Sequence, residues 1–116
     1  MARLGFLPAM FTTALIALPL GGASLADTVI PIADAKRGMM VTVAGTVERI
    51  TDEDEFILTD TSDSIRVYVG PNWVPANVGD AVTVHGFIDN DLLRELYART
   101  LTMPNGEVVT FERRYD

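Results

Sequence analysis

The chain contains no cysteine, one histidine and one tryptophan among its 116 residues. Each scarcity removes a class of chemistry. Without cysteine there is no disulfide, no thiolate nucleophile, no thiol redox couple and no Cys-ligated zinc. There is also no cysteine to acylate, which excludes a lipoprotein. With His85 as the sole histidine, a His-pair metal site or a two-histidine relay is impossible, and no G-x-S-x-G segment exists to seat a serine nucleophile. Positive charge is short as well: 9 Lys and Arg stand against 16 Asp and Glu, a net charge of −7. A general nucleic-acid binder needs a surplus of cations to displace counterions from phosphates, and attachment to anionic lipid needs the same surplus. Acidity by itself implies solubility.

What is there begins with a segment short of charge. Before Asp27 the only charged residue is Arg3. Residues 4–20 are apolar apart from Thr12 and Thr13, and Ser24-Leu25-Ala26 places small residues three and one before a cut. This is the pattern of a signal peptide over residues 1–26. Pro8 and Pro19 interrupt the run, and no basic stop-transfer cluster follows, so a transmembrane anchor is the weaker reading. Cleavage would remove Arg3 and leave 8 basic against 16 acidic residues, a charge of −8 on residues 27–116. The expected product is a single periplasmic domain without a membrane span, expected to be a monomer. Ninety residues suffice for one core and not two.

From Met39 onward, short alternating runs are separated by turn residues, the signature of an all-β barrel or sandwich. Val41, Val43, Gly45 and Val47 share one face of a first strand that runs to about Ile50. Residues 51–54 form a polar turn, residues 56–59 a second strand, residues 60–63 a tight turn capped by Asp60, and residues 65–69 a third strand. Residues 70–80, with two prolines and two glycines, break the periodicity as a long connection in which Trp73 is expected to plug the barrel's open end. Val82, Val84, Gly86 and Ile88 form the inner face of a fourth strand, residues 95–103 a fifth, and the Pro104-Asn105-Gly106 hairpin returns a sixth over residues 107–113. Residues 32–37 read as one short helix closed by Gly38. A short N-terminal helix, a three-strand meander, a crossover and two more strands follow the plan of a small five-stranded OB-fold Greek-key barrel, here with an extra C-terminal strand. An SH3-like barrel is the alternative on pattern alone.

Residues 38–100 resemble the bacterial OB-fold family of periplasmic proteins, the YgiW/YdeI type of stress-tolerance protein. The resemblance is carried by Val41-Thr42-Val43-Ala44-Gly45-Thr46-Val47, by Asp54-Glu55-Phe56-Ile57-Leu58-Thr59-Asp60-Thr61, by Ile65-Arg66-Val67-Tyr68-Val69 with Trp73, and by Val84-His85-Gly86-Phe87-Ile88-Asp89-Asn90-Asp91. The chain departs from the family pattern at Ser62-Asp63-Ser64, where a glycine usually follows the turn, and at Asn90, where a lysine is usual. The resemblance implies a non-enzymatic periplasmic domain associated with envelope stress, without an established universal ligand.

Four outward-facing strand residues are the candidates for ligand contact: Arg66, Tyr68, His85 and Phe87. For each, cross-strand pairing or ordinary exposure competes with a binding role, and Phe87 has a further alternative in packing beneath the N-terminal helix. The acidic runs Asp52-Glu53-Asp54-Glu55 and Asp89-Asn90-Asp91 lack the alternate ligands, central glycine and distal glutamate of an EF-hand, and read as solvated turns. Because these turns flank the ligand face of an OB barrel, they favour a cationic small molecule or peptide. An envelope glycan or a periplasmic protein are the other partners considered. Single-stranded nucleic acid is the alternative from fold analogy, disfavoured by charge and export. No cofactor, no metal and no catalytic residue are expected.

Overall fold

The computed structural model describes residues 28–90 and 93–111; the expected signal peptide, Asp91 and the end of the expected sixth strand lie outside the described residues. Six strands follow one another: β1 (Met40–Asp52), β2 (Glu55–Thr59), β3 (Ser64–Tyr68), β4 (Ala81–Ile88), β5 (Glu95–Thr102) and β6 (Val108–Thr110). Their order in the sheet is β3-β2-β1-β4-β5-β6, and β3 pairs in parallel with β5. That last pairing closes five strands into a barrel with OB Greek-key connectivity.

β1 is long because it serves two partners. Residues 40–46 pair with β4, and residues 46–52 pair with β2 across two register irregularities. The irregularities bend the strand around the barrel, and they draw Thr51 and Asp52 out of the expected four-residue turn and into the strand. At the changeover stands Gly45, where an added Cβ would overlap the Thr59 carbonyl oxygen. Gly86 is under the same constraint beneath the Tyr97 carbonyl, where one further irregularity falls between β4 and β5.

Inward-facing residues from every barrel strand fill the interior. Val43, Phe56, Leu58, Val67, Val84 and Leu96 are fully buried. Each such side chain stabilises the fold by about 1.5–3 kcal/mol relative to exposure. Phe111, just past β6, joins the same core. β5 has a divided second edge: residues 95–97 face β3 and residues 100–102 face β6. The short Val29–Thr42 bridge covers the matching stretch of β1 that β2 does not reach. Both arrangements occupy strand edges that would otherwise present unpaired backbone groups.

Two expectations require correction. The helix over residues 32–37 is a single 3-10 turn, Ile32–Asp34. Its backbone is committed elsewhere: Ile32 N–H donates to Asp60 Oδ2 at 3.0 Å, Ala33 N–H donates to Ser62 Oγ at 3.0 Å, and Arg94 donates to the carbonyls of Ile32 and Ala35. The chain then turns at Lys36–Met39, with Gly38 at φ 83°, to enter β1. Trp73 does not plug the barrel; it is 75% exposed. Asn72 Nδ2 donates to the Val69 carbonyl at 2.7 Å and Val74 N–H to Glu53 O at 2.9 Å, so Val74 takes the inward place and carries its neighbour outward. Val69, Val74 and Ala76 fill the interior from this connection, and Ile32 supplies the core residue of the N-terminal turn.

Candidate functional site

The strand alternation that buries Phe56, Val67 and Leu96 sends their neighbours to the outer wall. On β2 these are Glu55 and Ile57, on β3 Arg66 and Tyr68, on β5 Glu95 and Tyr97. Closure then sets the register: Glu55 lies opposite Tyr68, Tyr68 beside Tyr97, and Tyr97 opposite Phe87 of β4. Three aromatic residues therefore stand in one row across three strands. The Tyr68 and Tyr97 ring centroids are 5.5 Å apart with planes inclined at 59°, a tilted pair. The row below holds Ile57, Arg66 and Glu95 in register.

Charge is concentrated where the rows meet. Arg66 donates to Glu55 Oε1 at 3.0 Å, and Thr51 Oγ1 donates to the same oxygen at 2.9 Å. Glu55 and Glu95 act on each other carboxyl to carboxyl, and the pair is biased in opposite directions. Glu95 is the member pushed up. Burial raises its pKa first, the hydrogen bond and negative charge of Glu55 raise it further, Arg66 opposes, Asp89 adds to the rise, and the result is about 7. Glu55 moves the other way: burial would raise it, but the bonds from Thr51, Glu95 and Arg66 outweigh burial and lower it. Asp89 lies at the rim, where it accepts a hydrogen bond from the Tyr97 hydroxyl at 3.3 Å.

The two carboxyls act on each other as the dyad of an aspartic protease does, but in hydrogen-bond contact they leave no room for the water or sugar that a glycosidase pair holds between them. They lie on an open wall. A neighbouring groove of about 350 Å³ passes over Ile57 and is walled by Arg49, Arg66, Leu93 and Arg94, with neither carboxyl among its lining residues. Each of its arginines has a carboxylate partner: Arg49 with Glu48, Arg66 with Glu55 and Arg94 with Asp63. Among the described residues, no three His, Asp or Glu groups gather to hold a metal ion.

Of the four candidates, Arg66 and Tyr68 lie within this cluster and Phe87 extends its aromatic row. His85 belongs elsewhere, since its Nδ1 is 2.8 Å from the Oγ1 of buried Thr42 on the β1–β4 wall. Asp60 caps its turn as expected. Its Oδ1 accepts from Ser62 N–H, Ser62 Oγ and Asp63 N–H, and its Oδ2 from Ile32 N–H. Burial alone would raise this carboxyl, but the bonds from Ser62, Ile32 and Asp63 bring it down to about 2. Glu55, Glu95 and Tyr97 are absent from the sequence-based candidates. Glu55 reads there as part of the acidic turn, and only its spacing of two from Ile57 and Thr59 marks it as a strand residue facing out.

No protein-family model and no curated protein matches the chain. A solved structure does: the hypothetical protein ygiW from E. coli, at a TM-score of 0.56 and 22% sequence identity, over 72% of this chain and 99% of that one. The fold is thus an OB-type barrel like that of ygiW.

Proposed function

We propose that this chain is an exported, non-enzymatic OB-fold binding protein of the bacterial periplasm, whose ligand meets the outer wall formed by β2, β3 and β5. The observation that carries this reading is the row Tyr68, Tyr97 and Phe87 beside the Glu55–Arg66–Glu95 cluster. In OB barrels the strand 2–3 face is the wall that takes up ligands. An envelope glycan, a cationic small molecule or peptide, and a periplasmic protein all suit an exposed aromatic row with hydrogen-bonding carboxyls at its edge. The signal-like segment over residues 1–26 supports export, and the family resemblance supports a role in envelope or stress tolerance. Single-stranded nucleic acid is disfavoured by the net charge of −7, and each groove arginine already faces a carboxylate.

The test is capture from periplasmic extract with the tagged protein, analysed for proteins and for glycan fragments. The same capture is run with a Tyr68→Ala/Tyr97→Ala variant whose circular dichroism matches the parent. A partner held by the parent and lost by the variant is the expected result. Equal capture by both would move the binding surface elsewhere.

A further inference from the structure

We infer that the wall between Tyr68 and Tyr97 is a binding site for an organic ammonium group on a small molecule. The inference rests on the binding wall proposed above and specifies the chemistry of its ligand. Two independent features converge there. The first is aromatic: Tyr68 and Tyr97 are inclined at 59° with centroids 5.5 Å apart, so together they present faces in more than one direction. Phe87 extends the row by one strand. The π-faces of such rings carry negative potential and attract cations held within about 6 Å.

The second feature is the charge around the rings. Facing this wall are Glu55 from β2, Arg66 from β3, Glu95 from β5 and Asp89 from the β4–β5 connection. Three carboxyls thus share this wall with one guanidinium, which is itself bonded to Glu55 at 3.0 Å. The wall becomes more negative as Glu95 loses its proton. The chain beyond it carries the same sign, so a cation is drawn toward the face and an anion is repelled.

The alternatives fit less well. A bare divalent ion needs several oxygen ligands converging on one point, and no such set occurs among the described residues. An anion would have to displace carboxylates from arginines that already hold them. An alkylammonium group uses both features: its methylenes lie on the rings while its N–H groups donate to Glu95 and Asp89.

The test is an NMR titration of the protein, as purified from a bacterial host, following the tyrosine ring signals. The probes are n-butylammonium, n-butanoate and a capped Gly-Lys-Gly peptide, at pH 5.5 and pH 8 and constant ionic strength. Butylammonium is expected to give saturable shifts of Tyr68 and Tyr97, with tighter binding at pH 8 because Glu95 is then ionised. Tyr97→Leu should weaken binding about threefold, the scale of an exposed cation–π contact. Glu95→Gln, which keeps a hydrogen bond to Glu55, should abolish the difference between the two pH values while the protein stays folded. Equal or stronger shifts with butanoate would overturn the inference, as would shifts with butylammonium that never saturate. Response to the peptide alone would also overturn it, assigning the wall to a protein segment. A partner captured through Tyr68 and Tyr97 while butylammonium fails would leave the binding wall standing and remove only the ammonium assignment.

Discussion

At the scale of the residue, Asp60 shows how one side chain joins distant parts of the chain. Its carboxylate accepts four hydrogen bonds, three from Ser62 and Asp63 within the β2–β3 turn and one from Ile32 N–H in the N-terminal turn, 28 positions away. Asp60→Ala leaves those donors without the carboxylate and should destabilise the protein by about 1–3 kcal/mol in urea unfolding. The pH dependence follows from the direction of the shift. A carboxyl near 2 when folded, against 3.8 otherwise, adds stability that is complete above pH 4 and lost as pH falls toward 2. The urea midpoint of the parent should therefore drop through that window, and that of Asp60→Asn should drop less. Gly45 is constrained by space. Gly45→Ala forces a methyl group into the Thr59 carbonyl and should cost about 1–3 kcal/mol, read in the same assay.

At the scale of the element, much was legible before the strands were assembled. Alternation and turn residues together located the six strands to within a few residues, because a half-buried strand displays its two faces directly in sequence and turn residues mark its ends. Asp60 was legible as a cap for a similar reason, since its partners Ser62 and Asp63 are local. The unread features depend on closure. Glu55 and Glu95 meet only because β3 and β5 join, and a parallel pairing of distant strands leaves no periodic signal. Trp73 turns outward, against the expectation drawn from its place in the proline-rich connection, because the backbone bonds of Asn72 and Val74 decide which residue turns in. A quenching measurement checks this: Trp73 fluorescence should be readily quenched by acrylamide in the folded protein. The β5–β6 element has its own test. Phe111 is 5% exposed, and Phe111→Ala should cost about 3–5 kcal/mol in thermal or urea unfolding.

At the scale of the whole molecule, the described barrel and the undescribed beginning of the chain meet in one prediction. If residues 1–26 are removed on export, protein recovered from the periplasm begins at Asp27, and N-terminal sequencing with intact mass should find that end. Retention of Met1 in the membrane fraction would instead make the segment an anchor. Global stability should also respond to the Glu55–Glu95 pair. Glu95, raised to about 7 from 4.5, contributes stability that is complete below pH 4.5 and lost as pH climbs through 7. Glu95→Gln should remove that decline, which comparison of melting temperatures at pH 5.5 and pH 8 would reveal.

The β3–β5 junction has a consequence in time as well as in space. It holds three residue pairs, against seven between β1 and β4, and joins positions 29 apart in the chain, from Arg66 to Glu95. The β1–β2–β3 meander can form from near neighbours, whereas this junction must wait for the long connection and β4 to find their places. It is therefore expected to be the last part of the barrel to zip and the first to part. The amides of residues 66–68 and 95–97 should exchange with deuterium sooner than those of the β1–β4 ladder. The wall that carries the aromatic row is then the place where the barrel breathes, and whatever settles across Tyr68 and Tyr97 also holds the last two strands together.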